Sequence, residues 1–262
     1  MTLYLHELKH GRKALIIWGA VIAFMLFICM IMFPEMKKQM DSVSEMFANM
    51  GGFTAAFGMD KIDFGTAMGF YGIECGNILS IGGGFFAALI GISALSKEEK
   101  NKTAEFLLTH PVSRINIVFQ KLLSIITQVI LLNICITAIS ALSFALIGEN
   151  LAVREFMLLH LAYLILQLEL ACICFGISAF ISRGSIGIGI GIAALLYFLN
   201  IIGNISDKAE FVKYITPFKY AEAADIISTA KLDTTLILIG TTYSIVAVAV
   251  AFMKYTKKDI AN

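Results

Sequence analysis

The sequence predicts an all-α integral membrane protein with six transmembrane helices, and three observations predict it. Hydrophobic residues make up 58% of the 262 residues and charged residues only 15%. The apolar residues gather into six runs long enough to cross a bilayer, which takes about 20 residues of helix. The charges fall almost entirely in the connections between those runs. A water-soluble domain of this size needs more polar residues to cover its outside. With a formal net charge of +1, nothing marks the chain as a nucleic-acid binder.

The runs lie at about 15–33, 73–95, 122–147, 156–181, 185–203 and 234–253, all in a single transmembrane domain spanning 1–262. Pro34 closes the first run. Residues 1–14 read as a short amphipathic interfacial helix, with Tyr4, Leu8, Gly11 and Leu15 on one face and His6, Lys9 and Lys13 on another. The first run is too long for the apolar core of a cleaved signal peptide. After it, Met36, Met40, Val43, Phe47 and Met50 recur at helical spacing, so the first helix is expected to continue as an amphipathic segment until Gly51-Gly52. Between the second and third runs, Ser96 and Glu99 fit a capping box for a short helix over 98–108. Pro111 stops that helix, and Ser113 caps the next. The segment 204–233 carries a turn at Thr216-Pro217.

Orientation follows the Lys and Arg count. With both termini in the cytoplasm, twelve Lys and Arg lie on inner segments and eight on outer ones. The acids run the other way, with twelve outside and five inside. Cys29, Cys75, Cys135, Cys172 and Cys174 all sit in apolar stretches and read as small hydrophobes rather than disulfide partners or metal ligands. Small residues, namely Gly82-Gly83-Gly84 in the second run and Gly187, Gly189 and Gly191 in the fifth, provide faces for close helix approach.

Few residues offer chemistry. His6-Glu7-Leu8-Lys9-His10 matches H-E-x-x-H, which in a zinc protease puts two His on one helical face with a Glu as base. A catalytic zinc needs a third protein ligand, and His110 and His160 sit in no ligand motif. Glu74 stands near the outer end of the second run and is expected to face water. Glu169 stands mid-span with Gln167 beside it, where an acid must face protein or water. It lines a translocation path or locks helix packing, with Asn133, Gln128 or Asn200 as partners. The sequence holds no G-x-x-x-x-G-K-[ST] and no G-x-S-x-G. Active transport would therefore draw its energy from a partner or an ion gradient.

The loop Lys97-Glu98-Glu99-Lys100-Asn101-Lys102-Thr103-Ala104-Glu105-Phe106-Leu107-Leu108-Thr109-His110-Pro111-Val112-Ser113-Arg114 resembles the loop after the second span of type-2 ABC transporter permeases. These carry an acidic–basic cluster, a Gly-Thr pair, Glu, leucine-like residues and Pro-Val-Ser-Arg; here Lys102-Thr103 replaces Gly-Thr. Glu7-Leu8-Lys9 to Arg12-Lys13, with Trp18 in the first run, is similar to the family's elbow helix, and Thr216-Pro217-Phe218-Lys219-Tyr220 to its Ser/Thr-Pro-Phe segment.

The resemblance implies a non-enzymatic permease subunit of an exporter in the cell membrane, paired with a second permease, the same or homologous. ATP and Mg would be handled by a separate ABC ATPase, leaving this chain without a cofactor or metal of its own. The short cytoplasmic helix would be the coupling helix, with Glu98, Glu99, Lys100, Thr103, Glu105, Phe106, Leu107, Leu108 and Arg114 docking the ATPase. Glu74, Gln167, Glu169 and Asn133 are the candidates for the path or for helix locking. A zinc protease using His6, Glu7 and His10, and a non-transporting assembly or sensor subunit, are the alternatives.

Overall fold

The computed structural model describes residues 2–39, 51–97, 112–181 and 186–257. Six of its helices are long and apolar enough to cross a membrane. They are α1 (Thr2–Lys37), α3 (Ala67–Ser93), α4 (Arg114–Ile147), α5 (Val153–Ser178), α6 (Ile186–Ile205) and α8 (Thr234–Lys257). Two short helices, α2 (Gly51–Ala56) and α7 (Ala223–Thr229), lie in the connections, with 3-10 turns at Asp207–Tyr214 and Lys219–Ala221.

Several helix ends differ from the hydropathy reading. α1 runs unbroken through Ala14, so the first 14 residues and the first span are one rod, with no turn between them. Its 36 residues make about 54 Å, well beyond a hydrocarbon core. Pro34 sits inside its last turn instead of ending it. The ring removes one backbone bond, and the Lys37–Glu149 ion pair at 2.6 Å ties the turn down. Gly51-Gly52 opens α2. α3 starts at Ala67, where the Thr66 hydroxyl accepts from Gly69 N–H, and carries a π turn at Tyr71–Cys75. Ser113 caps α4 by accepting from Asn116 N–H at 3.3 Å. Gly148, at φ 72°, closes α4 in the left-handed conformation that glycine adopts freely.

The tightest partners run parallel. α1 lies along α4: Tyr4 N–H donates to Gln120 Oε1 (3.0 Å) near one end, and Lys37 meets Glu149 near the other. α3 lies along α5, and α5 along α8. Small residues make these approaches possible. A Cβ on Gly84 would stand 3.1 Å from Leu170, and one on Gly176 would stand 2.8 Å from the Ala247 carbonyl oxygen. α6 crosses α3 antiparallel, with Gly189 against Ala88 and Ile92. Gly191 meets nothing within 4 Å, so the Gly187–Gly191 spacing makes no internal contact there.

These pairings sort the connections onto two faces. Thr2, Lys97, Arg114 and Thr256 share one, the terminal face, where Arg114 Nη1 donates to the Thr256 carbonyl at 3.3 Å. Lys37, Lys61, Glu149 and Asp225 share the far face. The flanks are apolar and exposed, as with Ile17 at 61% and Phe24 at 64% on α1, which is how a lipid-facing surface looks.

Candidate functional site

Polar groups gather at three depths. At the terminal face, Glu7 on α1 is buried and holds two ammonium groups. Lys121 on α4, with its side chain only 1% exposed, donates to Glu7 Oε1 at 2.9 Å and to the Ala94 carbonyl at 2.9 Å. Lys97, just beyond α3, donates to Glu7 Oε2. One carboxylate thus ties three spanning helices, and its two lysines bracket residues 98–111. Burying an ion pair is tolerable only when its hydrogen bonds are satisfied, as they are here.

In the interior, Asn133 Nδ2 on α4 donates to Gln167 Oε1 on α5 at 2.8 Å, so two of the sequence-chosen residues meet. Gly83 on α3 lies against the Gln167 amide, and any larger residue there would displace it. Glu169 is 3% exposed and faces α8, where Thr241 Oγ1 donates to Oε1 at 3.4 Å and Gly240 leaves room for the carboxyl. Its Oε2 has no hydrogen-bond partner, and the Tyr220 phenol faces the carboxyl without closing a bond. The anticipated partners are engaged elsewhere: Asn133 with Gln167, Gln128 with Ser124, Asn200 with Glu222. A helix sequence does not reveal which neighbour it turns a given side chain towards.

Glu74 is half-buried in the π turn. Nearby, the Tyr71 hydroxyl donates to Ser140 Oγ (2.9 Å) and lies 2.9 Å from His160 Nε2, while His160 Nδ1 lies 3.0 Å from Thr137 Oγ1. The network is satisfied with the proton on Nε2.

At the far face, Lys219 Nζ donates to Glu222, to Asp225 Oδ2 (3.0 Å) and to Asn204 Oδ1 (3.2 Å). Lys61 reaches Asp225 Oδ1 at 2.8 Å. Burial lifts the Glu222 carboxyl above the usual range despite Lys219. Burial also pushes Asp225 up, but the hydrogen bond from Lys61 and the charge of Lys219 outweigh it and hold the group at about 2. Burial works against the Lys219 charge, and the two carboxylates overcome it, raising its pKa. A polar cavity of about 670 Å³ opens beside this cluster, bordered by Lys61, Lys213 and Asp233.

The sequence model of the ABC-2 family transporter proteins matches residues 1–260. The chain belongs to that family. It is a multi-pass membrane permease, the membrane-spanning component of a transporter. No curated protein matches it.

At the H-E-x-x-H match Glu7 is buried and the two histidines are exposed. Glu7 is held by two lysines, and His6 and His10 stack at 6.4 Å between ring centroids on the exposed side of α1. The described residues hold no group of three His, Cys, Asp or Glu able to take a metal ion. Glu98, Glu99, Lys100, Thr103, Glu105, Phe106, Leu107 and Leu108 lie outside the described residues. Arg114, the remaining member of that set, is half-buried on the terminal face.

Sequence reading missed the Glu7–Lys97–Lys121 clasp, the His160 network and the far-face cluster. An in-span histidine and a lysine at the edge of a run were the available signals, but each partner lies far along the chain.

Proposed function

We propose that this permease is one half of a dimeric exporter, driven by a separate ABC ATPase that docks at residues 98–111 from the cytoplasm. In this reading Glu98, Glu99 and Glu105 orient docking, and Phe106, Leu107 and Leu108 fill a groove on the ATPase. The observation that carries it is that the two lysines bracketing this segment, Lys97 and Lys121, hold the same Glu7. A push on the loop would reach α1, α3 and α4 together, through an ion pair with little slack, instead of bending one helix end. Closure of the ATPase dimer would tilt those helices and change access to a path beside Asn133, Gln167 and Glu169. The terminal face is cytoplasmic in this reading, in line with its excess of Lys and Arg.

The test is capture and labelling. The permease alone is expected to hydrolyse no ATP and to co-purify with an ATPase subunit. The triple charge reversal of Glu98, Glu99 and Glu105 should release that subunit while the spans stay folded. A cysteine replacing Lys102 should resist membrane-impermeant reagents in intact cells and react in inverted vesicles. Full-rate transport by the isolated chain, or labelling of that cysteine from outside, overturns the proposal.

A further inference from the structure

Among the described residues, Glu7 and Glu169 are the buried acids, and the fold treats them oppositely. Glu7 holds two ammonium groups. Glu169, near the middle of α5, takes part in no ion pair among the described residues and accepts one long hydrogen bond, from Thr241 Oγ1 at 3.4 Å. Its seat is nevertheless shaped for it. A Cβ on Gly240 would stand 2.1 Å from Oε2, so the missing side chain is what gives the carboxyl its place. Oε2 is covered and unpartnered, and so is the Tyr220 hydroxyl that faces it. The remaining polar neighbours bring no free cation. Cys172 lies beside it on α5. A narrow cavity of about 10 Å³, room for about one water, touches Glu169 and is bordered by Lys213, Tyr214 and Tyr243. The Lys213 ammonium is engaged by Glu210 at 2.5 Å. A bare carboxylate held by hydroxyls alone is costly inside a membrane protein, and such a group neutralises instead. Because Oε2 is covered, no water, ion or substrate reaches it. A proton needs no such room.

We propose that Glu169 is a proton-binding site: the carboxyl sits in the membrane interior as the neutral acid, its Oε2–H donates to the Tyr220 phenol oxygen, and the proton exchanges with water through the narrow cavity. A protonated carboxyl supplies the one donor this pair of oxygens lacks. Tyr220 belongs to the far-face segment, so the proton joins α5, α8 and that segment at one point. On release the Glu169 O–H bond breaks, the proton passes to water, and the carboxylate keeps the electron pair. A movement that parts α5 from α8 and wets the seat removes the reason for the proton, so it gives off one proton per chain. The site belongs to this chain alone and stands or falls separately from the ATPase reading.

Infrared spectroscopy of the full-length permease at pH 7, in a detergent without ester groups, reads a protonated carboxyl directly through a carbonyl stretch that ionised acids do not show. Glu169→Gln should remove such a band, and that same band should survive Glu74→Gln and Glu222→Gln. Transfer to deuterated water should lower its frequency as the proton exchanges through the cavity. Tyr220→Phe takes away the acceptor and should raise the frequency; it leaves the acid in place, so it tests the site even if Glu169→Gln fails to fold. A spectrum that Glu169→Gln leaves unchanged means that the carboxyl is ionised and sinks the proposal. A band that Glu222→Gln or Glu74→Gln removes belongs to that acid and sinks it too. A band that stays fixed in deuterated water rules out exchange through the cavity, and one that ignores Tyr220→Phe rules out the phenol as acceptor; either result overturns the site as drawn.

Discussion

Replacing Glu7 by alanine would leave two ammonium groups without their shared counter-ion. The larger loss falls on Lys121, whose side chain is 1% exposed and which also donates to the Ala94 carbonyl. Removing one member of a buried pair costs about 3–5 kcal/mol, because the other charge stays buried. Lys97 is 22% exposed, so water replaces much of what it loses, and it adds up to about 1 kcal/mol. At roughly 2–4 °C per kcal/mol for a chain of this size, melting should fall by about 6–24 °C. Cys75 and Cys174 are fully buried, so the rate at which a thiol-reactive dye labels them on heating measures unfolding directly. The paired change Glu7→Leu with Lys121→Met removes both charges and should recover most of the loss. An alanine variant that melts within about 1 °C of the parent would refute the clasp, since it would mean that water already neutralises both lysines.

Asn133→Leu or Gln167→Leu alone should cost about 1–3 kcal/mol by stranding the partner amide, and the double replacement should be nearly neutral; a thermal double-mutant cycle measures the difference. Gly91→Ala puts a methyl against the Ala171 carbonyl and the Cys174 Cβ and should destabilise by about 1–3 kcal/mol, whereas Gly191→Ala, with nothing within 4 Å, should be neutral or stabilise by up to about 1 kcal/mol. At the far face, Lys219→Met should lower stability at pH 7, with partial recovery on acidification. The sign follows from Glu222: burial already raises its pKa, so the folded state favours the protonated form and gains stability as pH falls through that raised value. Asp225 has the opposite sign and loses its contribution only as pH falls towards 2, so the difference between the variant and parent melting profiles from pH 8 to pH 4 reads Glu222.

The number of crossings was legible because lipid demands unbroken apolar runs, and no other feature of this chain produces six of them. Helix ends were not legible by the same rule. A hydropathy run stops at Lys121, but the backbone ladder of α4 starts at Arg114, because the charge is met from the side by Glu7. The small-residue faces of α3 were correctly read as close-packing surfaces, since glycine beside a helix has little other use. Partner choice was the least legible. Asn133 and Gln167 were singled out and they meet, while Glu169 turns to Thr241 and Tyr220 on segments whose rotation depends on the whole bundle. Glu7 drew notice for a zinc motif, and its lysines lie 90 and 114 residues further along.

That last separation bears on how the protein is made. At about 5–20 residues per second, Lys121 leaves the ribosome roughly 6–23 s after Glu7. Lys97 emerges earlier and meets one carboxylate oxygen of Glu7, but until Lys121 follows the other oxygen waits for its lysine, and α1 has no finished neighbour in α4 to lie along. The newborn chain must wait in the insertion machinery, or drift with its first segment unanchored, until the third crossing arrives. A premature stop between residues 97 and 121 would leave that clasp permanently half-made, a mark for the quality-control proteases that remove half-built membrane proteins.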